Sequence, residues 1–171
     1  LRGKKGAEYE GGVRVPFIAA WAKPDAKNKF QKKYPIAQNA VQLQQGTVMD
    51  LYPTILSVAH VKSPKHYALD GADLKKLLQG KEDKNHRDDF LMHFPHGEHR
   101  ANYFTTYRKG DWKLIYYYNP DTTGVPTWKL YNLKDDPYEA SEVSAKYPEK
   151  AASMIELMKK RLTEENALYP I

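Results

Sequence analysis

The 171-residue sequence contains no cysteine. Disulfides, thiolate metal sites and a thiol nucleophile are therefore excluded within it. No apolar run approaches the ~20 residues that a membrane-crossing helix needs, so no membrane span is expected. No signal-peptide pattern is present either. A glycine-rich phosphate loop, a Ser-His-Asp arrangement and a closely spaced carboxylate pair are also missing from the sequence. The chain lacks an initiator Met and opens within a loop, from which a C-terminal piece of a longer protein is expected.

What is present is a modest excess of positive charge, 27 Lys and Arg against 21 Asp and Glu, a net +6. The cations are scattered, at Lys27 and Lys29, Lys32-Lys33, Lys62 to Lys65, Lys75-Lys76 and Lys159-Lys160-Arg161, each beside acids or loops. This reads as a solvated surface and not as the clustered footprint of a nucleic-acid binder. It is compatible with an anionic polysaccharide without indicating one.

The first sixteen residues carry four glycines, Gly3, Gly6, Gly11 and Gly12, around two adjacent lysines. Glycines let a backbone take positive φ and approach a ligand where side chains would block it. Composition alone leaves open whether this is an anion-meeting loop or a plain connection. Val13 to Trp21 then reads as a strand, with Pro16 confined to its start or to an edge. Residues 22–40 look like a surface excursion. Asp50 precedes Pro53 as a helix cap would, and Leu51, Ile55, Val58 and Ala59 recur at helical spacing. Leu69-Asp70-Gly71 is a turn, and Asp73 to Leu78 a short helix ended by Gly80. From Lys81 the texture becomes short β-like runs: Asp89 to Phe94, a hairpin of Tyr103–Arg108 and Trp112–Tyr118 across Lys109-Gly110-Asp111, and Trp128 to Leu133. Pro148 to Leu168 carries Ala151, Ile155, Met158 and Leu162 as a helical stripe, a partner layer for the sheet.

Lys4-Lys5-Gly6-Ala7-Glu8-Tyr9-Glu10-Gly11-Gly12-Val13-Arg14-Val15-Pro16 resembles the second signature region of the type I sulfatases, of the alkaline-phosphatase-like superfamily. Lys4 stands where that family more often has Gly; Lys5, directly before Gly6, falls on the family's lysine. Asp50-Leu51-Tyr52-Pro53-Thr54, Arg108-Lys109-Gly110-Asp111-Trp112-Lys113-Leu114-Ile115 and Leu130-Tyr131-Asn132-Leu133-Lys134-Asp135-Asp136-Pro137-Tyr138-Glu139 are similar to later passages of the same family. The resemblance runs almost the whole length, in order, and is weakest between residues 22 and 40.

The resemblance implies an α/β fold: residues 1–80 as the C-terminal end of the catalytic domain, closing an alkaline-phosphatase-like central sheet with a flanking helix. Residues 81–171 would form a smaller α+β subdomain, an antiparallel sheet of about four strands on a long C-terminal helix. It implies a sulfuric ester hydrolase acting on sulfated carbohydrates or other organic sulfates, with a Ca2+ ion and a formylglycine nucleophile supplied by polypeptide upstream. It implies export, to a periplasm or another secretory compartment. Lys5 is the catalytic residue it implies here, contacting the sulfate and the nucleophile; Glu10 and Arg14 are expected to brace the loop. A phosphodiesterase or phosphonate hydrolase of the same superfamily, or a non-catalytic glycan-binding relative, are the alternatives.

His93-Phe94-Pro95-His96-Gly97-Glu98-His99-Arg100 is the densest polar cluster of the second half, with three of the six histidines. Pro95 between His93 and His96 denies them a shared helix face of the kind zinc proteases use. Imidazole donors at a strand end suit hydroxyl and sulfate oxygens better, and His93 and His96 are the candidate substrate-binding residues. No metal ligand is expected in this chain. Of the 13 tyrosines, Tyr116, Tyr117 and Tyr118 are consecutive, which a sheet with two differently covered faces explains without a ligand.

Overall fold

The computed structural model describes residues 1–95, 103–118 and 127–169. Two compact units share the chain: residues 1–16 together with 89–171, and residues 17–88. This grouping differs from the sequence-based division after residue 80, because the opening loop belongs with the C-terminal sheet.

In the first unit four strands, β1 (Asp89–Phe94), β2 (Phe104–Lys109), β3 (Trp112–Tyr117) and β4 (Trp128–Asn132), form an antiparallel meander in the order β1-β2-β3-β4. Lys109 pairs with Trp112, so Gly110 and Asp111 close the β2–β3 hairpin, and Gly110 takes φ 56° as such a tight turn requires. Strand side chains alternate between faces. Tyr107, Leu114 and Leu130, adjacent in register, point to one face and meet Ala151, Met154, Met158 and Leu162 of the long helix α5 (Pro148–Glu164). The expected stripe is thus nearly the observed one; Met154 takes the buried place, with Ile155 packed at the cluster's margin.

The opposite face is covered as well. Phe104, Ile115, Tyr117, Tyr131 and Leu133 pack with Tyr9 of the opening loop. With both faces covered, three residues in a row on β3, Lys113, Leu114 and Ile115, are buried. The helix alone was expected as the covering layer; the loop is the second.

The second unit holds short helices α2 (Lys29–Lys33), α3 (Leu51–Val58) and α4 (Lys75–Leu78), with a single 3-10 turn at Val48–Asp50 before α3. Asp50 is fully buried and acts as its hub. Its Oδ2 accepts from Thr47 N–H at 2.7 Å and Thr47 Oγ1–H at 3.0 Å, and its Oδ1 from Ala72 N–H at 2.8 Å. Asp50 therefore does not cap α3 with its side chain, as expected from sequence; it closes a capping box one turn earlier. Thr54 Oγ1 donates to the Asp50 carbonyl and accepts from Leu74 N–H, tying α3 to the start of α4. Tyr34 is buried and donates to Asp73 Oδ1 at 2.6 Å. Burial and that carboxylate push its hydroxyl pKa up, so it stays a donor across the physiological range.

Val13 to Trp21 is not a strand. Glu10–Val13 forms a short helix, α1, closed by Arg14 N–H on the Glu10 carbonyl at 2.8 Å, and the chain beyond is irregular. A strand needs a neighbour for its N–H and C=O groups, and none lies beside this segment among the described residues. Val15 and Ile18 are 78% and 89% exposed.

Candidate active-site loop

Lys4 to Ala7 forms a β-turn, with Ala7 N–H donating to the Lys4 carbonyl at 2.8 Å. Gly6, at its third position, has φ 87°, the value a type II turn demands there. Lys5 is thereby placed at the second position of the turn, exposed to solvent. The loop returns through Gly11, whose N–H reaches the Arg2 carbonyl at 2.6 Å. A Cβ on Gly11 would lie 2.4 Å from the Arg2 oxygen, and one on Gly12 2.1 Å from the Ala7 oxygen. Both glycines are required by close backbone approach, Gly12 directly beneath the Lys5 turn.

The loop is fastened by charges under its own backbone. Glu10 and Glu139 are buried, as is Lys113 of β3. The Lys113 ammonium lies 3.0 Å from Glu10 Oε1 and 2.7 Å from Glu139 Oε1. Glu139 Oε2 accepts the Glu10 N–H at 2.6 Å, and the Glu139 carbonyl accepts from Arg2 Nη1 at 2.8 Å. Arg108 of β2 approaches Glu10 Oε2 at 3.7 Å, while the Arg2 guanidinium lies 3.9 Å above the Tyr9 ring. Glu8 takes the Tyr117 hydroxyl hydrogen at 2.8 Å. Burial first, then Tyr9 and the Glu8 carboxylate, push the Tyr117 pKa up and keep it a donor.

Glu10 thus braces the loop, as expected from sequence, whereas Arg14 is exposed. Lys113 and Glu139 were not singled out from the sequence. Their only signal was position: each lies inside a passage quoted above, one in the hairpin and the other after β4, and neither motif says that the two side chains meet.

His93 sits on β1 opposite Thr105. Its Nε2 lies 2.7 Å from the Leu168 carbonyl, and its Nδ1 lies 2.7 Å from Thr105 Oγ1, which is itself 2.7 Å from the Tyr118 hydroxyl. A carbonyl only accepts, so in the neutral ring the hydrogen is on Nε2 and Nδ1 accepts from Thr105. The Tyr118 hydroxyl, its pKa raised by burial, supplies the hydrogen to Thr105 Oγ1. Both ring nitrogens are therefore engaged within the chain. His96, His99 and Arg100 lie outside the described residues. A cleft of about 480 Å³ with Met49, Tyr52, Tyr67 and Asp70 in its walls lies in the second unit and contains none of the expected site residues.

Among the described residues no three His, Asp or Glu side chains are grouped to hold a metal ion. No helix among the described residues is long and apolar enough to cross a membrane.

The profile of the family described as N-sulphoglucosamine sulphohydrolase, C-terminal, matches residues 4–167. This chain belongs to that family. The match takes in the Lys5 turn, the buried Glu10, Lys113 and Glu139, the sheet and all of α5. Among curated relatives, a sulfatase of Formosa agariphila is 34% identical over 163 residues, covering 86% of this chain and 26% of its own. The human N-acetylgalactosamine-6-sulfatase is 28% identical over 189 residues, covering 97% of this chain and 33% of its own. A solved structure of a protein in complex with its substrate D-glucosamine-2-N,6-O-disulfate matches with a TM-score of 0.53 at 29% identity, over 67% of this chain and 23% of that one. A 2-O GAG sulfatase at 23% identity, with a TM-score of 0.54 over 68% of this chain and 24% of that one, shares the fold. The family domain in this chain spans about a quarter to a third of the length of these relatives.

Proposed function

We propose that this chain is the C-terminal part of a sulfatase that hydrolyses sulfate esters of carbohydrates, and that Lys5 is the cation it contributes to the reacting sulfate. One observation carries the reading: a lysine stands on a glycine-built turn that is tied down before it by the Arg2 hydrogen bond to the Glu139 carbonyl and after it by the buried Glu10, Glu139 and Lys113 cluster. A sulfate ester is an anion, and charge builds on the leaving oxygen as the S–O bond breaks. A cation held in place before the reaction stabilises that charge without reorganising. Membership of the sulfatase C-terminal family and the sulfated sugar named for one structural neighbour support this substrate class.

Residues 1–80 are proposed to complete the catalytic α/β domain, with the opening loop also roofing the sheet of the smaller subdomain formed by 81–171. The nucleophile, a formylglycine, and the calcium ion that the family resemblance implies would come from the N-terminal part of the same protein. That polypeptide would also cover Ile18, Val41, Leu43 and Ile55, which are 89%, 85%, 86% and 62% exposed in this chain. Substrate contact by His93 and His96 is part of the proposal; a sugar hydroxyl or sulfate oxygen would take the His93 Nε2 hydrogen in place of the Leu168 carbonyl. Export to the periplasm or another secretory compartment is proposed on the family's ground.

The test is sulfate release by the full-length protein from sulfated mono- and oligosaccharides, beside phosphate release from the matching phosphate esters. The expected preference for sulfate in kcat/KM is roughly 100-fold or more, about 2.7 kcal/mol of differential transition-state binding. Equal or greater turnover of the phosphate esters would favour a phosphodiesterase or phosphonate hydrolase. No turnover of either would favour a binding protein. The 171-residue chain alone is expected to be inactive.

A further inference from the structure

We propose that Lys113 is the positioning residue of the Lys5 turn, an ionic latch that sets where that turn stands relative to the sheet. The inference rests on the reading of Lys5 above and adds how its position is fixed.

The loop touches the latch on both sides of the turn. Arg2, before it, donates to the Glu139 carbonyl, and Glu10, after it, donates its N–H to Glu139 Oε2. Both carboxylates then converge on one ammonium, that of Lys113, which the alternation of β3 points to the loop face. Glu139 is fully buried with φ 55°, a left-handed conformation that a glutamate rarely takes. Its two carboxylate oxygens and its carbonyl all serve the loop and its latch, which is what holds that conformation in place.

The neighbours on this face are Phe104, Ile115, Tyr117, Tyr131 and Leu133, an apolar surface on which the Tyr9 ring packs. For stability alone, well-packed apolar residues at these three positions would serve as well as a buried ion cluster. What the ions add is direction. An ammonium between two carboxylates fixes the loop along the sheet, where an apolar patch would allow it to slide.

The test uses the full-length protein with two variants, Lys113→Met and the triple variant Lys113→Met/Glu10→Gln/Glu139→Gln, which removes the buried ammonium together with both of its carboxylates. The readouts are kcat and KM for a sulfated sugar, thermal unfolding, and hydrogen exchange of the Ala7 and Glu10 amides. The expected result is a loss of roughly 100-fold in kcat with a much smaller change in KM, as for a misplaced reacting group. Both amides exchange faster in both variants, and the triple variant recovers thermal stability without recovering kcat. A folded variant with kcat near that of the parent and unchanged exchange would overturn the proposal. So would failure of both variants to fold, which would make the cluster a general stability element. If Lys5→Ala leaves kcat intact while Lys113→Met speeds exchange of the two amides, the reading of Lys5 fails and the latch stands. If Lys5→Ala abolishes turnover while the Lys113 variants change neither kcat nor exchange, the latch fails alone.

Discussion

Lys5→Ala in the full-length protein is expected to lower kcat/KM for a sulfate ester by roughly 100- to 1,000-fold, the range seen when one preorganised charge-stabilising group is removed from a transition state. The same substitution is expected to leave thermal stability within about 0.5 kcal/mol of the parent, as for other exposed side chains away from caps and cores. The turn it sits on is held by Gly6 and by the Ala7 N–H to Lys4 carbonyl bond, neither of which needs the lysine side chain. Steady-state kinetics beside thermal unfolding separate the two effects. Near-parental turnover would remove Lys5 from the chemistry.

Gly12→Ala is expected to have the second largest effect, and by a different route. The added methyl would have to occupy space 2.1 Å from the Ala7 oxygen and 3.0 Å from the Lys4 oxygen, both backbone atoms of the turn itself. Neither can rotate away as a flexible side chain would, so the turn must move. A cost on the order of 2–4 kcal/mol in urea unfolding is expected, at the severe end of single substitutions. Displacing Lys5 by even about 1 Å is expected to lower kcat by roughly 100-fold in addition. Gly110→Ala is the control. A methyl there meets nothing within 4 Å, and the residue has φ 56°. Its cost should be only the ~1–2 kcal/mol of a left-handed non-glycine residue, with kcat unchanged. Equal effects of the two substitutions on kcat would show that the loop's geometry does not matter to turnover.

The parts of the fold that were legible in the sequence are those whose signal is local. The hairpin at Gly110 was readable because a tight turn leaves a fixed residue signature. Strand β1 coincides with its expected bounds, Asp89 to Phe94, and α5 was marked by Pro148 and by a stripe at helical spacing. Val13 to Trp21 misled because β-rich composition describes what a segment can do when neighbours are present. In this chain the segment has no ladder partner among the described residues, and the glycine-driven turn into α1 claims Val13.

The candidate site divides along the same line. Lys5 is a candidate because the passage from Lys4 to Pro16 resembles the sulfatase signature; its glycines alone leave an anion-meeting loop and a plain connection both open. The latch was not legible, since Lys113 is 103 residues from Glu10 and Glu139 is 129. Nothing in a lysine on a strand says that the face it points to will be covered. That required knowing that the sheet is roofed twice, by α5 on one face and by the opening loop on the other. His93 also has a partner distant in sequence: the turn of chain after α5 brings the Leu168 carbonyl onto its Nε2.

The most direct measurement is a crystal structure of the full-length protein with a sulfated sugar or inorganic sulfate bound. The account predicts the Lys5 ammonium at about 2.8–3.0 Å from a sulfate oxygen, the distance of a charge-assisted hydrogen bond, with Glu10, Glu139 and Lys113 still joined beneath the turn. A sulfate bound elsewhere, with the Lys5 side chain directed into solvent and away from it, would contradict the account.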